Sequence, residues 1–318
     1  GCLVGSEMCI RDRLLTVSLA CLTLSACSTA PHQEVTSFYD YQLFTPDAKA
    51  VSLNSLPEDI QNADVILVGE WHTHSGVHRF QTDLVKALIS QGHNVAVSME
   101  QFSRDSQDIV NQYLAGEIGE QTLIKNASAW PNYESDYRAL VELAKANQID
   151  VIAANAPKPI VRCIGRQGVG YLDKLAPEQR ANVAEKVNVT SSPYKDKFMA
   201  SMHHGKPEQT EKQFAAQVTW DETMAESMTR YLEQNPSKQI IHIAGKFHIE
   251  NGLGTKASIL SRNPNLRVVV ITPTGDVISE SDDYQLEVLA PPVRYVQMEN
   301  RMKAYHSLTK RNEDLSCL

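Results

Sequence analysis

The chain of 318 residues is 42% hydrophobic and 21% charged, an ordinary globular balance that suits one large domain or two small ones. Its formal net charge of −8 at pH 7, with no basic run interleaved with aromatic residues, argues against a nucleic-acid partner. No fixed-period repeat marks a solenoid or a propeller.

Residues Gly1 to Glu7 precede the first methionine, read as gene-model read-through, and are set aside. Met8 to Arg13 is a short basic start, and Leu14 to Ala26 is an apolar stretch of signal-peptide length, too short for an ordinary membrane span. It ends in Leu24-Ser25-Ala26-Cys27, which resembles a bacterial lipobox. That likeness implies a lipidated Cys27 as the mature N-terminus and a membrane anchor of several acyl chains, palmitate among them. Ser28 after it implies sorting to an outer membrane, with the domain in the periplasm. Residues 27–50 then form a tether and lead-in, and 51–318 a single α/β domain. Past the expected cleavage only Cys163 and Cys317 remain as thiols; an exported protein can pair them, but sequence alone does not decide it. With no Cys-x-x-Cys, no structural zinc site is expected.

Five short runs rich in Val and Ile, each flanked by polar residues or Gly, read as buried parallel strands: Val65–Val68, Asn94–Met99, Asp150–Ala153, Gln239–Ile243 and Leu266–Ile271. Helical periodicity lies between them. Val77 to Ile89 places Phe80, Leu84, Val85 and Leu88 on one face, with Ser75 as N-cap. Tyr133–Ala146 and Gln209–Leu232 are amphipathic, and Thr255–Leu260 is a short crossover. The fold class is therefore α/β, a mainly parallel sheet with helices on both faces. Two connections, 101–148 and 157–237, exceed what a crossover needs and read as helical insertions forming a lid or ligand slot. The tail after Ser281 reads as an edge strand or wrapping arm.

The chemistry gathers at strand ends. The first strand runs into Gly69-Glu70-Trp71-His72-Thr73-His74, the second into Glu100, the third into Asn155 and the fourth into Lys246-Phe247-His248. In an extended chain Glu70, His72 and His74 point the same way. In an open α/β sheet, ligands bind just outside the carboxyl ends. Glu70, His72, Glu100 and His248 are thus the candidate catalytic acids and bases. Glu70, His72, His74 and His248 are the candidate ligands for a divalent metal ion. His78 reads as a packed or surface residue. No Gly-x-Ser-x-Gly elbow and no Gly-rich phosphate loop is present.

These residues resemble the opening motif of the ChaN family, here Gly69-Glu70-Trp71-His72 continuing through His78 to Gln81. The likeness extends to Ser98-Met99-Glu100-Gln101-Phe102, Ala153 to Pro157, Gln217 to Ala225 and Ala244 to His248, covering roughly residues 50–275. Two departures are Lys246-Phe247, where the family often has a small residue, and Thr73-His74 after the first histidine. The resemblance implies an iron-regulated, haem-binding lipoprotein of the Tiki superfamily. It implies a role in iron uptake and haem sandwiched in a homodimer. The superfamily also holds Tiki-type metalloproteases and erythromycin esterases, which use equivalent Glu and His residues.

Two readings follow. In the first the protein binds haem, and the family precedent favours a tyrosine ligand. Tyr133, Tyr137, Tyr171 and Tyr194, all in the insertions, are the candidates, with Arg138, Arg162 and Arg166 as propionate partners. His203 and His204 read as solvated loop residues. In the second it is a metal-dependent esterase or peptidase, with Glu70 and Glu100 as base or ligand and His72 and His248 as ligand or acid. No His-Glu-x-x-His motif supports that second reading.

Overall fold

The computed structural model describes residues 32–202, 206–310 and 315–318. The expected signal peptide, Cys27, the start of the tether and the His203-His204 pair lie outside the described residues.

Eight strands form one sheet: β1 Gln42–Phe44, β2 Ala50–Val51, β3 Val65–Glu70, β4 Val95–Ser103, β5 Val151–Asn155, β6 Gln239–Gly245, β7 Val268–Thr274 and β8 Tyr284–Glu287. Their spatial order is β2-β1-β8-β7-β3-β6-β4-β5. From β8 to β5 the pairing is parallel, and β1 adds an antiparallel edge. The five strands expected from the sequence are all present, and the mixed, mostly parallel α/β architecture is as expected. Differences lie at the edges. β1 falls in the stretch read as lead-in, and the tail contributes a strand as expected, β8, but set between β7 and β1 and not at the edge.

Strand periodicity divides the core into two layers. Ile66, Val68, Val97, Met99, Ile241 and Ile243 face one side, beneath Phe80, Leu84 and Leu88 of the helix Ser75–Ser90 and Leu140 and Val141 of the helix Arg138–Ala146. Val65, Leu67, Ala96, Ile240 and Ala244 face the other, beneath Met224, Met228 and Leu232 of the long helix Pro207–Gln234. Because the side-chain period is two, a one-residue slip in any central strand would exchange these layers, so the register is fixed by burial on both faces. That register brings the carboxyl ends of β3, β6 and β4 side by side.

Helix starts differ in one instructive place. The residue capping Ser75–Ser90 is His74, whose Nδ1 accepts the Val77 N–H at 3.4 Å, and Ser75 is already in the first turn. At the other end of the chain, a disulfide joins Cys163, on the helix Lys158–Gln167, to Cys317. The C-terminal residues are thereby stapled to the second insertion.

Leu67 is fully buried at the centre of the sheet. Leu67→Ala is expected to destabilise the protein by about 2–5 kcal/mol, read as a lower urea midpoint at unchanged slope. A loss below about 1 kcal/mol would mean that the layer collapses around the missing atoms.

Candidate functional site

Glu70 ends β3 and its carboxylate is wholly removed from water. Such a group is tolerable only when its oxygens are saturated. Oε1 accepts from Tyr137 Oη at 2.6 Å, Gln101 Nε2 at 3.0 Å and His72 Nδ1 at 3.0 Å. Oε2 accepts from Gln81 Nε2 at 2.7 Å, and His78 Nδ1 stands 3.7 Å away. Burial raises the carboxyl pKa, but the hydrogen bond from His72, the His78 charge and the Tyr137 and Gln81 donors outweigh it and hold the group below the usual carboxylate range. Tyr137 responds oppositely: burial and the adjacent Glu70 charge push its phenol well above the ordinary value.

Gln101 reaches Glu70 because β4 does not stop at Met99. It continues to Ser103, with a register shift between Met99 and Ser103. In a regular strand consecutive side chains face opposite ways. The irregularity lets both Glu100 and Gln101 address the rim. Glu100 Oε2 accepts the Gly245 N–H at 2.7 Å, and Asn155 Nδ2 donates to the Glu100 carbonyl at 3.1 Å.

His248 lies 3.8 Å from Glu100, Nε2 to Oε1, and its Nδ1 donates to Asp221 Oδ1 at 3.0 Å. Asp221, fully buried on the long helix, also accepts from Thr255 Oγ1 and Tyr194 Oη, both at 2.8 Å. Burial opposes the imidazolium of His248, yet the charges of Asp221 and Glu100 prevail and raise its pKa to about 9. The same contest governs His72: burial lowers its pKa, the Glu70 hydrogen bond and the Glu100 charge raise it, and the net shift is upward.

Acids and imidazoles therefore alternate along the rim, from Asp221 through His248, Glu100, His72 and Glu70 to His78. Gly245 lies beneath the middle of this row. A Cβ there would fall 2.8 Å from His72 Cε1 and 3.7 Å from Glu100 Oε2, so only glycine admits the close approach. Two tryptophans brace the imidazoles edge-on: Trp130 against His72 at 5.0 Å and Trp220 against His248 at 6.2 Å between ring centroids.

Two clefts open on the row, and His72 and His248 line both. The larger, about 1050 Å³, is walled by Phe38, Trp71, Phe247, Lys246 and the Pro291–Arg294 segment. The smaller, about 530 Å³, is walled by Glu100, Gln101, Trp130, Asn155 and Trp220. His72 is the exposed member: 46% of its side chain is accessible, against 0% for Glu70.

Four of the sequence candidates, Glu70, His72, Glu100 and His248, converge. His74 does not join them. The chain turns after Glu70, with His74 N–H donating to the Trp71 carbonyl at 2.9 Å, and His74 Nε2 donates to the Leu289 carbonyl at 2.8 Å. The extended Glu-x-His-x-His arrangement is thereby corrected. Among the described residues no group of three or more His, Cys, Asp or Glu side chains is arranged to hold a metal ion, so the expected divalent-metal set finds no support. The physical reason is prior commitment: Glu70 is saturated, and both ring nitrogens of His74, which also lines the larger cleft, are held by the Leu289 carbonyl and the Val77 N–H.

The four candidate tyrosines are all buried. Tyr137 donates to Glu70 and Tyr194 to Asp221. Tyr133 lies against Phe102 with its hydroxyl unpartnered, and Tyr171 packs beside Ile160 and Ile164. None lines either cleft. Of the arginines read as propionate partners, Arg138 pairs with Glu120 and Glu134, Arg166 donates to the Leu315 carbonyl, and neither these nor Arg162 lines a cleft. Asp221 stands within the Gln217–Ala225 motif, but a lone aspartate on an amphipathic helix carries no signal of burial, so the sequence does not single it out.

The raised pKa of His248 gives a pH test. Its ionic contribution to stability is fully present below about pH 6.5, the ordinary histidine value, and is lost as pH rises through about 9. The His248 ring resonance is expected to titrate near pH 9, and Asp221→Asn to lower that midpoint. An unchanged midpoint in the variant would remove Asp221 as the cause.

Residues 56–259 match the family described as "Haem-binding uptake, Tiki superfamily, ChaN". ChaN of Campylobacter jejuni, solved in a study of cofacial heme binding, is similar in structure, with a TM-score of 0.62 at 19% identity over 81% of this chain and 100% of that one. A mutant of the erythromycin esterase EreC in its open conformation gives a TM-score of 0.41 at 11% identity over 77% of this chain and 81% of that one. The type III effector HopBA1 gives 0.43 at 11% identity over 73% and 90%. No curated protein sequence matches significantly. Since the matched span exceeds half of the chain, the protein belongs to the ChaN family of haem-binding uptake proteins within the Tiki superfamily.

Proposed function

We propose that the protein binds haem in the larger cleft, with His72 facing the iron. The observation that carries this is the state of His72. Its Nδ1 is held by the Glu70 carboxylate at 3.0 Å, while Nε2 makes no hydrogen bond among the described residues, on a ring with 46% of its side chain accessible. A carboxylate on one nitrogen of a histidine fixes the tautomer and raises the ligand strength of the other. When bound, haem would supply an iron that takes a histidine nitrogen or a phenolate oxygen as its protein ligand. The aromatic walls Trp71, Phe247 and Phe38 suit a flat apolar ring, and the volume of about 1050 Å³ is at the upper end of small-molecule sites. The four buried tyrosines are the competing ligands; Tyr137 would first have to leave Glu70.

The ChaN protein of Campylobacter binds haem cofacially. The same arrangement in this chain is a homodimer in which a second copy covers the open side of the cleft, against the exposed Val293, Tyr295 and Val296 beside it. Lipidation of Cys27 would hold the domain at the outer membrane, facing the periplasm, for iron uptake. The Cys163–Cys317 disulfide supports an oxidising compartment.

A second reading, a hydrolase working by acid and base without metal, is favoured by one observation: the Asp221-supported His248 stands 3.8 Å from Glu100 at the cleft wall. If the protein cleaves an aryl ester, Glu100→Gln and His248→Ala should each lower the rate by at least about a hundredfold. Equal rates in all three proteins would end this reading.

Hemin titration decides the first reading. The protein should give a saturable Soret band, and His72→Ala should shift the band and weaken binding. The affinity should rise with pH, because Nε2 must shed the proton that Glu70 and Glu100 favour. A band untouched in His72→Ala but lost in Tyr137→Phe would transfer the ligand to the tyrosine. No band at all would end the haem reading.

A further inference from the structure

The larger cleft has a charged mouth built from two distant parts of the chain. Lys246 immediately follows β6, and Arg294 lies on the arm that leaves β8. Both line the same cleft. Resting on the haem reading, we infer that Lys246 and Arg294 form a two-cation clamp for the carboxylates of the ligand, the paired propionates of haem.

Three observations carry this. First, the arm is anchored just before Arg294. Val288 N–H donates to the Thr274 carbonyl at 3.0 Å, the Leu289 carbonyl accepts from His74 Nε2 at 2.8 Å, and Ala290 packs 3.0 Å from where a Cβ on Gly275 would stand. Pro291-Pro292 follows, two residues of fixed φ that project Val293 and Arg294 stiffly from this anchor. His74, which does not join the Glu and His row, thus acquires a role in positioning the arm.

Second, the two cations lack committed counter-charges. Arg294 is exposed and forms no ion pair among the described residues. Lys246 Nζ has only a 3.7 Å approach to Glu250 Oε2, while Lys197 holds the other oxygen of Glu250 at 2.9 Å. The lysine also sits 5.4 Å above the Trp71 ring, at the aromatic wall itself. The carboxylate in the lining, Glu70, is saturated by its four donors and cannot neutralise them.

Third, the chemistry is complementary. The wall is apolar and aromatic and the two cations sit in the same lining, which matches a flat apolar body bearing two carboxylates. A guanidinium meets a carboxylate with a two-pronged fork, and an ammonium as a point charge. Of the two cations, Lys246 lies within the family-matched span of residues 56–259 and Arg294 beyond it, on the arm that follows β8.

The test compares hemin with hemin dimethyl ester, in which both propionates are capped, on the full-length protein. Arg294→Gln and Lys246→Gln should each weaken hemin binding by about tenfold, a change of about 1.4 kcal/mol, and leave the ester unaffected. Melting curves of both variants should match the parent. Unchanged hemin affinity in both variants, or an equal loss for hemin and ester, overturns the clamp while leaving haem binding intact. Failure of the parent protein to bind hemin overturns both.

Discussion

A carboxylate taken out of water at the end of a core strand demands a full set of donors, and the Glu70 socket supplies them from four places in the chain. His72 comes from the turn that follows β3, Gln81 from the helix after it, Gln101 from the irregular end of β4, and Tyr137 from the first insertion. Each donor lies on a different element, so the socket ties the first insertion to the sheet. It also orients His72. With Nδ1 committed to Glu70, the other nitrogen is left to the cleft. The energetic logic is asymmetric. A saturated buried carboxylate adds little net stability, but loss of one donor leaves charge unpaired in a dry site.

The same logic repeats one strand away. Asp221 gathers Tyr194, Thr255 and His248, and thereby ties the second insertion and the crossover helix Thr255–Arg262 to the end of β6. Between the two acid centres stands Glu100, held by the Gly245 amide. Two histidines, each backed by an acid, consequently face the clefts with pKa values displaced upward. Replacing buried ion pairs by apolar residues of similar volume is often neutral or stabilising, so a polar row of this kind is the pattern expected where function and not packing selects the residues.

Much of this was legible in the residues. Short apolar runs covered on both faces announce parallel strands, and β3 to β7 follow from them. The convergence of Glu70, His72, Glu100 and His248 also follows, because parallel strands put all their carboxyl ends at one edge. What stayed hidden depends on local backbone events without a compositional mark. The turn at Trp71–His74 contains no Gly or Pro, so the alternation of Glu70, His72 and His74 reads as extended. The irregularity between Met99 and Ser103 falls where the apolar run ends, so the sequence reads as the close of the strand and not as its continuation. β1, of three residues, is too short for periodicity, and the weak alternation after Ser281 marks β8 as a strand but not its place between β7 and β1. Tyr137 stood out as an aromatic hydroxyl in an insertion, but only the fold reveals that its partner is Glu70.

The most direct measurement is the ionisation of Glu70 itself, followed by the side-chain carboxyl resonance of the folded protein as pH is lowered. The account expects Glu70 to stay ionised below the ordinary glutamate value of 4.5, since its donors outweigh its burial. A carboxyl group that takes up its proton above that value would contradict it: the socket would then be holding a neutral acid, and the orientation of His72 would lose its cause.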